Sequence, residues 1–95
     1  MKRMFVYILT NRTQTVIYIG VTNNLKRRLC EHVENAGKRE SFTGRNYCNQ
    51  LIYFEEFDGP NAAIKREKQI KGWTRTKKFD LIKAKNPGLG VVDPP

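Results

Sequence analysis

The side chains best suited to chemistry in this sequence are Tyr7, Tyr18, Arg28 and His32, all within its first third. Each tyrosine lies in a short apolar run, Phe5-Val6-Tyr7-Ile8-Leu9 and Val16-Ile17-Tyr18-Ile19-Gly20-Val21. The polar segment Thr10 to Thr15 between the runs reads as a hairpin connection. A symmetric hairpin centred in that loop opposes residues 7 and 18 directly, which puts both phenols on one face of the strand pair. Asn23 or Asn24 caps the helix that follows. Leu25, Leu29, Val33 and Ala36 recur at helical spacing as its buried stripe, with Arg28 and His32 stacked four apart along one edge. A phenol beside a cation loses its proton more readily than its reference pKa of about 10 implies. An imidazole can orient or accept that proton, and a guanidinium can neutralise charge growing on an anionic substrate.

A fifth candidate is Glu67. It falls between Ile64 and Ile70 within the apolar arc of a later helix, where an ionised carboxylate needs a cation, hydrogen bonds or a functional reason. An ion pair with Arg28 or a lysine is the structural explanation. A metal ligand facing the tyrosine surface is the functional one.

Charge narrows the partners. The chain of 95 residues carries 18 Lys and Arg against 9 Asp and Glu, a formal net of +9. An excess of this size on a small domain is the footprint of a polyanion, nucleic acid before membrane. Half of the basic residues lie between Lys65 and Lys85, opposed there only by Glu67 and Asp80. From this stretch Lys65, Lys68, Lys71, Arg75, Lys77 and Lys78 are candidate phosphate contacts, joined by Lys38, Arg39 and Arg45 from an earlier basic segment. No apolar run reaches the length of a membrane span, and the first strand follows directly on Met1-Lys2-Arg3-Met4, so neither membrane association nor a secretory signal is expected. Cys30 and Cys48 read as reduced thiols, without the spacing of a zinc site, in a cytoplasmic protein.

The remaining elements follow from pattern. Glu34 to Asn46 reads as the end of the first helix and then a mobile basic loop with a solitary Phe42. Leu51-Ile52-Tyr53-Phe54 forms a third strand, with Glu55 and Glu56 as strand-end charges pointing to opposite faces. Asp58 or Asn61 starts a helix that tolerates Pro60 and buries Ala63, Ile64 and Ile70. Gly72 ends it, Trp73 plugs a corner, and Thr74 or Thr76 caps another helix carrying Phe79, Leu81 and Ile82. Asn86-Pro87-Gly88 is a turn, and the tail after it is frayed. The expected fold is α+β: one three-stranded, mainly antiparallel sheet flanked by three or more helices. Residues 1–86 form the domain and 87–95 the tail.

With these residues in place the chain resembles the GIY-YIG nucleases, in particular their small single-domain bacterial members. Tyr18-Ile19-Gly20 keeps the second half of the family's name intact, while Phe5-Val6-Tyr7 keeps the tyrosine of the first half without its glycine. The segment from Gly20 to Leu29 looks like the family's arginine segment, with Arg28 at the motif position. The resemblance implies a metal-dependent DNA endonuclease, with DNA repair or recombination as its setting and Tyr7, Tyr18, Arg28 and His32 as catalytic residues. Tyr7 is then the general base, and Glu67 the ligand of a single Mg²⁺ or Mn²⁺ held weakly without DNA. Asn86 matches an asparagine that supports the family's site, although Leu89 and Gly90 stand where an aromatic usually follows. The alternative is a non-catalytic or partner-dependent nucleic-acid-binding module, with RNA open as a partner beside DNA.

Overall fold

The computed structural model describes residues 3–95; Met1 and Lys2 lie outside the described residues. Three strands, β1 (Met4–Thr10), β2 (Ile17–Thr22) and β3 (Gln50–Phe57), form one antiparallel sheet in the order β2-β1-β3. Four helices surround it: α1 (Leu25–Glu34), α2 (Phe42–Arg45), α3 (Pro60–Lys71) and α4 (Arg75–Lys85). The central strand is almost wholly buried, with Phe5 to Thr10 all inside. A strand covered on both faces reads as a continuous apolar run rather than an alternating one, and β1 does.

Alternation along β1 divides the core in two. Val6 and Ile8 pack with Ile19, Ile52, Ala63, Ile70 and Ile82, so α3 and α4 cover that face. Phe5, Tyr7 and Leu9 pack on the other face with Leu25 of α1, Leu51 and Cys48, and Tyr18 joins them at the edge. Helix α1 starts where Asn24 accepts from the Arg27 N–H, and α4 where Thr74 accepts from the Lys77 N–H. Helix α3 has Pro60 in its first turn, Gly59 as its N-cap and Gly72 as its C-cap.

Several details depart from the sequence pattern. Tyr7 pairs with Gly20 and Tyr18 with Leu9, so the phenols are diagonal neighbours rather than directly opposed, although they share a face. The cause lies in the loop. Asn11 Oδ1 accepts the N–H groups of Thr15 and Val16 at 2.9 and 3.2 Å, which delays the ladder until Ile17. In α1 the inward positions are taken by Leu25 and His32 with Arg28 and Leu29 partly covered, whereas Val33 is 58% exposed. On α3 Ile64 is also exposed, leaving Ala63 and Ile70 as the buried pair.

The segment expected to be a loop contains α2, capped by Ser41, whose Oγ accepts from the Gly44 N–H. The tail is tied down as far as Val92, whose N–H donates to Leu51 O at 2.9 Å. Glu55 does point away from Glu56, but it is a half-buried anchor rather than a solvated strand end. Arg66 reaches it with two nitrogens at 2.9 and 3.1 Å, and the Tyr53 hydroxyl donates to it. The lowered pKa of Glu55 reflects burial outweighed by these bonds. Trp73 sits between two cations, Lys77 Nζ at 4.5 Å and Arg66 at 5.2 Å from its ring centre. That ion pair fastens α3 to β3.

Gly20 is fixed by close approach. A Cβ placed there meets Tyr7 Cζ and the Tyr7 hydroxyl, each at 2.5 Å, and Tyr7 is packed on every other side. Gly20→Ala is therefore expected to lower stability by about 1–3 kcal/mol through overpacking, read as a shift in the urea midpoint at constant slope. An unchanged midpoint would mean that Tyr7 has room to move.

Candidate functional site

The site grows from the pairing of β1 with β2 and from the inward side of α1, from Arg28 to His32 in its last turn. Tyr7 points from the sheet toward α1, and the absence of a side chain at Gly20 lets its ring lie across the neighbouring strand. Its hydroxyl lies 3.1 Å from His32 Nε2 and 3.4 Å from Arg28 Nε. Arg28 is oriented in turn by Glu31, which accepts from its Nη1 at 2.9 Å. This half-exposed pair adds little stability, but it sets the guanidinium beside the phenol. The Tyr18 ring centre is 6.2 Å from that of Tyr7 and 5.8 Å from that of His32. Periodicity within β1, β2 and α1 thus brings Tyr7, Tyr18, Arg28 and His32 together.

His32 is buried, and its Nδ1 is 3.0 Å from Thr43 Oγ1 of α2. Burial, reinforced by the Arg28 charge, pushes its pKa down to about 4. At neutral pH the ring is therefore uncharged and carries one N–H. Two arrangements satisfy both nitrogens. In one, Nδ1–H donates to Thr43 and the Tyr7 hydroxyl donates to Nε2. In the other, Thr43 donates to Nδ1 and Nε2–H donates to the Tyr7 oxygen, freeing the tyrosine's own proton for another acceptor. Moving between them passes a proton through the imidazole without net charge when Tyr7 takes up a proton from a donor such as water and Thr43 releases its own hydroxyl proton. Burial holds the Tyr7 pKa above the ordinary phenol value, opposed by the Arg28 hydrogen bond. The resting state is a neutral phenol beside a cation.

Sequence reasoning had no means of finding Thr43. It lay in a segment without periodicity, and its pairing with His32 depends on how α2 folds back. Gly44 permits that fold, since a Cβ there comes within 2.4 Å of Lys38 O and 2.6 Å of Asn35 O. Ser41 before Gly44 was the one local signal, a helix cap. Phe42, likewise read as a solitary aromatic, stacks on Tyr18 with a centre distance of 6.2 Å and an interplanar angle of 28°.

The other candidates lie elsewhere. Glu67 shares its helix stripe with Ala63 and Ile70, which pack on the Val6 and Ile8 face, opposite the face that carries Tyr7. Its side chain is 14% exposed and meets Lys71 Nζ at 2.9 Å, and among the described residues it makes no hydrogen bond to the tyrosine cluster. Asn86 caps α4 and donates from Nδ2 to Ile52 O at 2.9 Å and Gly90 O at 2.8 Å. It braces β3 at Ile52, where the ladder with β1 steps from Ile8 opposite Tyr53 to Leu9 opposite Leu51, rather than touching the phenols. Lys65, Lys68 and Lys71 on α3, and Arg75, Lys77 and Lys78 on or before the first turns of α4, belong to the helices on that second face. Arg75 also donates to Gln14 O and Thr15 O at 3.2 and 2.9 Å, fixing the hairpin loop. Lys38, Arg39 and Arg45 flank α2, on the tyrosine side.

No group of three or more His, Cys, Asp or Glu suited to a metal occurs among the described residues. One carboxylate supplies the hard oxygen that Mg²⁺ or Mn²⁺ prefers, but only one, and Lys71 already neutralises it. Such a donor set fits a weakly held ion whose remaining ligands are waters and substrate oxygens. Among the described residues, no helix is long and apolar enough to cross a membrane.

Comparison with known proteins gives consistent results. The family model described as the GIY-YIG catalytic domain matches residues 3–80. A UPF0213 protein of Natronomonas pharaonis is 37% identical over 78 residues, covering 82% of this chain and 88% of its own length. One from Syntrophus aciditrophicus is 39% identical over 88 residues, covering 92% and 97%. The solution NMR structure of a UPF0213 protein from Bacillus halodurans superposes with a TM-score of 0.58 at 27% identity, covering 90% of this chain and 88% of that one. The relatives come from archaea as well as bacteria, so the resemblance is wider than the bacterial type.

Two outcomes are expected of the His32 network. The folded-state pKa of His32 lies below its ordinary 6.5, so the unfolded chain binds the extra proton first. This contribution to stability is complete above pH 6.5 and is lost as pH falls toward about 4. Urea titrations across that window, repeated on His32→Gln, should show a slope that the variant lacks. Thr43→Val should cost about 1–3 kcal/mol by leaving Nδ1 unpartnered in the interior, and Thr43→Ser should recover most of it.

Proposed function

Because the chain belongs to the GIY-YIG family, we propose that it is a metal-dependent endonuclease that hydrolyses phosphodiester bonds of DNA in the cytoplasm. The observation that carries the proposal is the Tyr7 hydroxyl shared between His32 and Arg28 on one face of the sheet. Hydrolysis needs a base for the attacking water and relief of the charge that gathers on the phosphorus oxygens. The phenol serves as that base through a relay: its oxygen takes the proton of water while its own proton passes to His32 Nε2. This Nε2 lies 3.1 Å from the hydroxyl and in the Nδ1–H form carries the free lone pair that receives this proton. Arg28 remains cationic throughout, held by Glu31 and Tyr7, and stabilises the negative charge that develops on the phenol oxygen during transfer and on the non-bridging oxygens. Tyr18, on the same face, positions the water or a phosphate oxygen.

Glu67 is the residue proposed to hold one Mg²⁺ or Mn²⁺, which supplies Lewis-acid stabilisation of the departing oxygen when bound. For Glu67 to serve, Lys71 must release it. Asn86 supports the site indirectly, by holding β3 and the tail. The basic residues of α3, α4 and the α2 segment neutralise the nucleic-acid backbone, and repair or recombination of DNA is the setting that fits these parts. A second reading, a nucleic-acid-binding module that cleaves only with a partner or not at all, is favoured by one observation. Glu67 is paired with Lys71, on the helix that packs against the other side of the sheet.

The test is cleavage of supercoiled, single-stranded and branched DNA in Mg²⁺ or Mn²⁺. Tyr7→Phe and Arg28→Ala are expected to slow it by roughly a hundred-fold or more, and Glu67→Ala to abolish its metal dependence. Cleavage undiminished in Tyr7→Phe and Glu67→Ala defeats the proposal. Steeply salt-dependent binding without cleavage by the wild type establishes the binding module instead.

A further inference from the structure

Beside the tyrosine cluster, α2 and the residues around it present two aromatic rings and two unpaired cations to solvent. Phe42 covers Tyr18 with one face of its ring, yet it is 44% exposed, so its other face is open. Tyr47, at the far end of the same short helix, is 59% exposed. Its backbone is left-handed, with φ of 54°, a conformation that costs a side chain such as tyrosine of order 1 kcal/mol or more. Strain kept for an exposed ring is uncommon, because surface rings normally gain nothing by being held. Here the Tyr47 ring lies against Gly37, where a Cβ would come within 3.0 Å of the hydroxyl, and its N–H donates to Gly44 O at 3.3 Å.

Arg39 and Arg45 complete the feature. Together with Gly37 and Tyr47 they line an open pocket of about 440 Å³. Neither arginine forms an ion pair among the described residues, and Arg45 Nη1 donates to Arg39 O at 3.2 Å, which holds the two together. Rings with a free face and guanidinium groups without acids match the two halves of a nucleotide, base and phosphate. The bases of a duplex are already stacked and present no face to a ring, whereas unpaired nucleotides do.

We infer that Phe42, Tyr47, Arg39 and Arg45 form a binding site for unpaired nucleotides that continues from the Tyr7 cluster, the rings stacking on bases and the arginines holding phosphates. The inference rests on the proposed nuclease reading only for the identity of the strand, as substrate leaving the reactive centre. Selection of single strands, or of unpaired bases beside a junction, then resides in α2. The basic helices α3 and α4 contribute attraction that does not depend on strandedness. Rigid attachment of the platform follows from Gly44, which packs α2 against the end of α1.

The experiment measures binding of fluorescent oligothymidylate, and of a duplex of equal length, by anisotropy with divalent metal chelated. Two variants keep the local structure while removing a ring. Phe42→Leu still covers Tyr18, and Tyr47→Asn tolerates the left-handed backbone. Thermal unfolding checks that both fold. Each is expected to weaken single-strand binding roughly five- to a hundred-fold and to leave duplex binding within about twofold. Single-strand affinity that is unchanged in both variants, or lost in equal measure for the duplex, overturns the inference. The assay runs without cleavage, so this failure is separable from failure of the nuclease reading, which the metal-dependent digestion decides.

Discussion

The structure depends on the crossing of the Tyr7 ring over the bare backbone of Gly20. That contact lets the ring lie over the neighbouring strand and fills the space under α1. It also carries a phenolic oxygen to a point where a buried imidazole and a half-buried guanidinium both reach it. A polar atom so deeply placed needs partners, since an unpaired hydroxyl in the interior costs more than a hydrogen bond returns. Arg28 and His32 answer that requirement directly, Arg28 held in turn by Glu31 and His32 by Thr43. The same partners that make burial tolerable place an imidazole and a guanidinium at the hydroxyl. Stability and the proposed reactivity draw on the same contacts.

The sheet separates two kinds of work. On the Tyr7 face, α1 and α2 bury Tyr7, His32 and Thr43 and set the Arg28 cation at their edge. On the other face, α3 and α4 carry lysines and arginines in numbers, fastened by the Glu55 pair with Arg66 and by Trp73 between its cations. Dispersed surface cations attract a polyanion from any direction and are screened by salt. A guanidinium fixed by Glu31 against a phenol acts at one point. The two sets of positive charge therefore have different consequences, although composition counts them alike.

Glu67 is the residue on which the geometry presses hardest. Its position on the inward stripe of α3 explains why it is mostly covered, and Lys71 one turn later explains how the covered charge is tolerated. An acid in that state is available to a cation only when a stronger competitor than the lysine arrives with additional oxygens. Under the proposed function, metal binding at Glu67 is then coupled to substrate, in keeping with the weak, water-rich coordination of Mg²⁺.

Local periodicity made much of this legible from residues alone. The apolar runs around Tyr7 and Tyr18 fixed two strands, the loop parity put both phenols on one face, and the spacing of Arg28 and His32 put them on one side of α1. Asn24 and Thr74, each one of two candidate caps, and Gly72 mark helix ends because a cap is a contact between near neighbours, whereas α3 is capped by Gly59 instead of Asp58 or Asn61. Register was decided otherwise, since Asn11 withdrew two amides from the ladder and moved Tyr7 opposite Gly20. The role of Thr43, the burial of His32, the stacking of Phe42 and the anchoring of Glu55 came only with the folded chain. Each depends on partners that chain-neighbour patterns do not identify: Tyr18 and Phe42 lie 24 positions apart in the numbering, yet their rings stack. What the chain spelled out by itself was which strand residues share a face, a property of adjacent peptide units. What those side chains meet across the interior was settled by packing, because it takes the whole core to bring distant segments to one place.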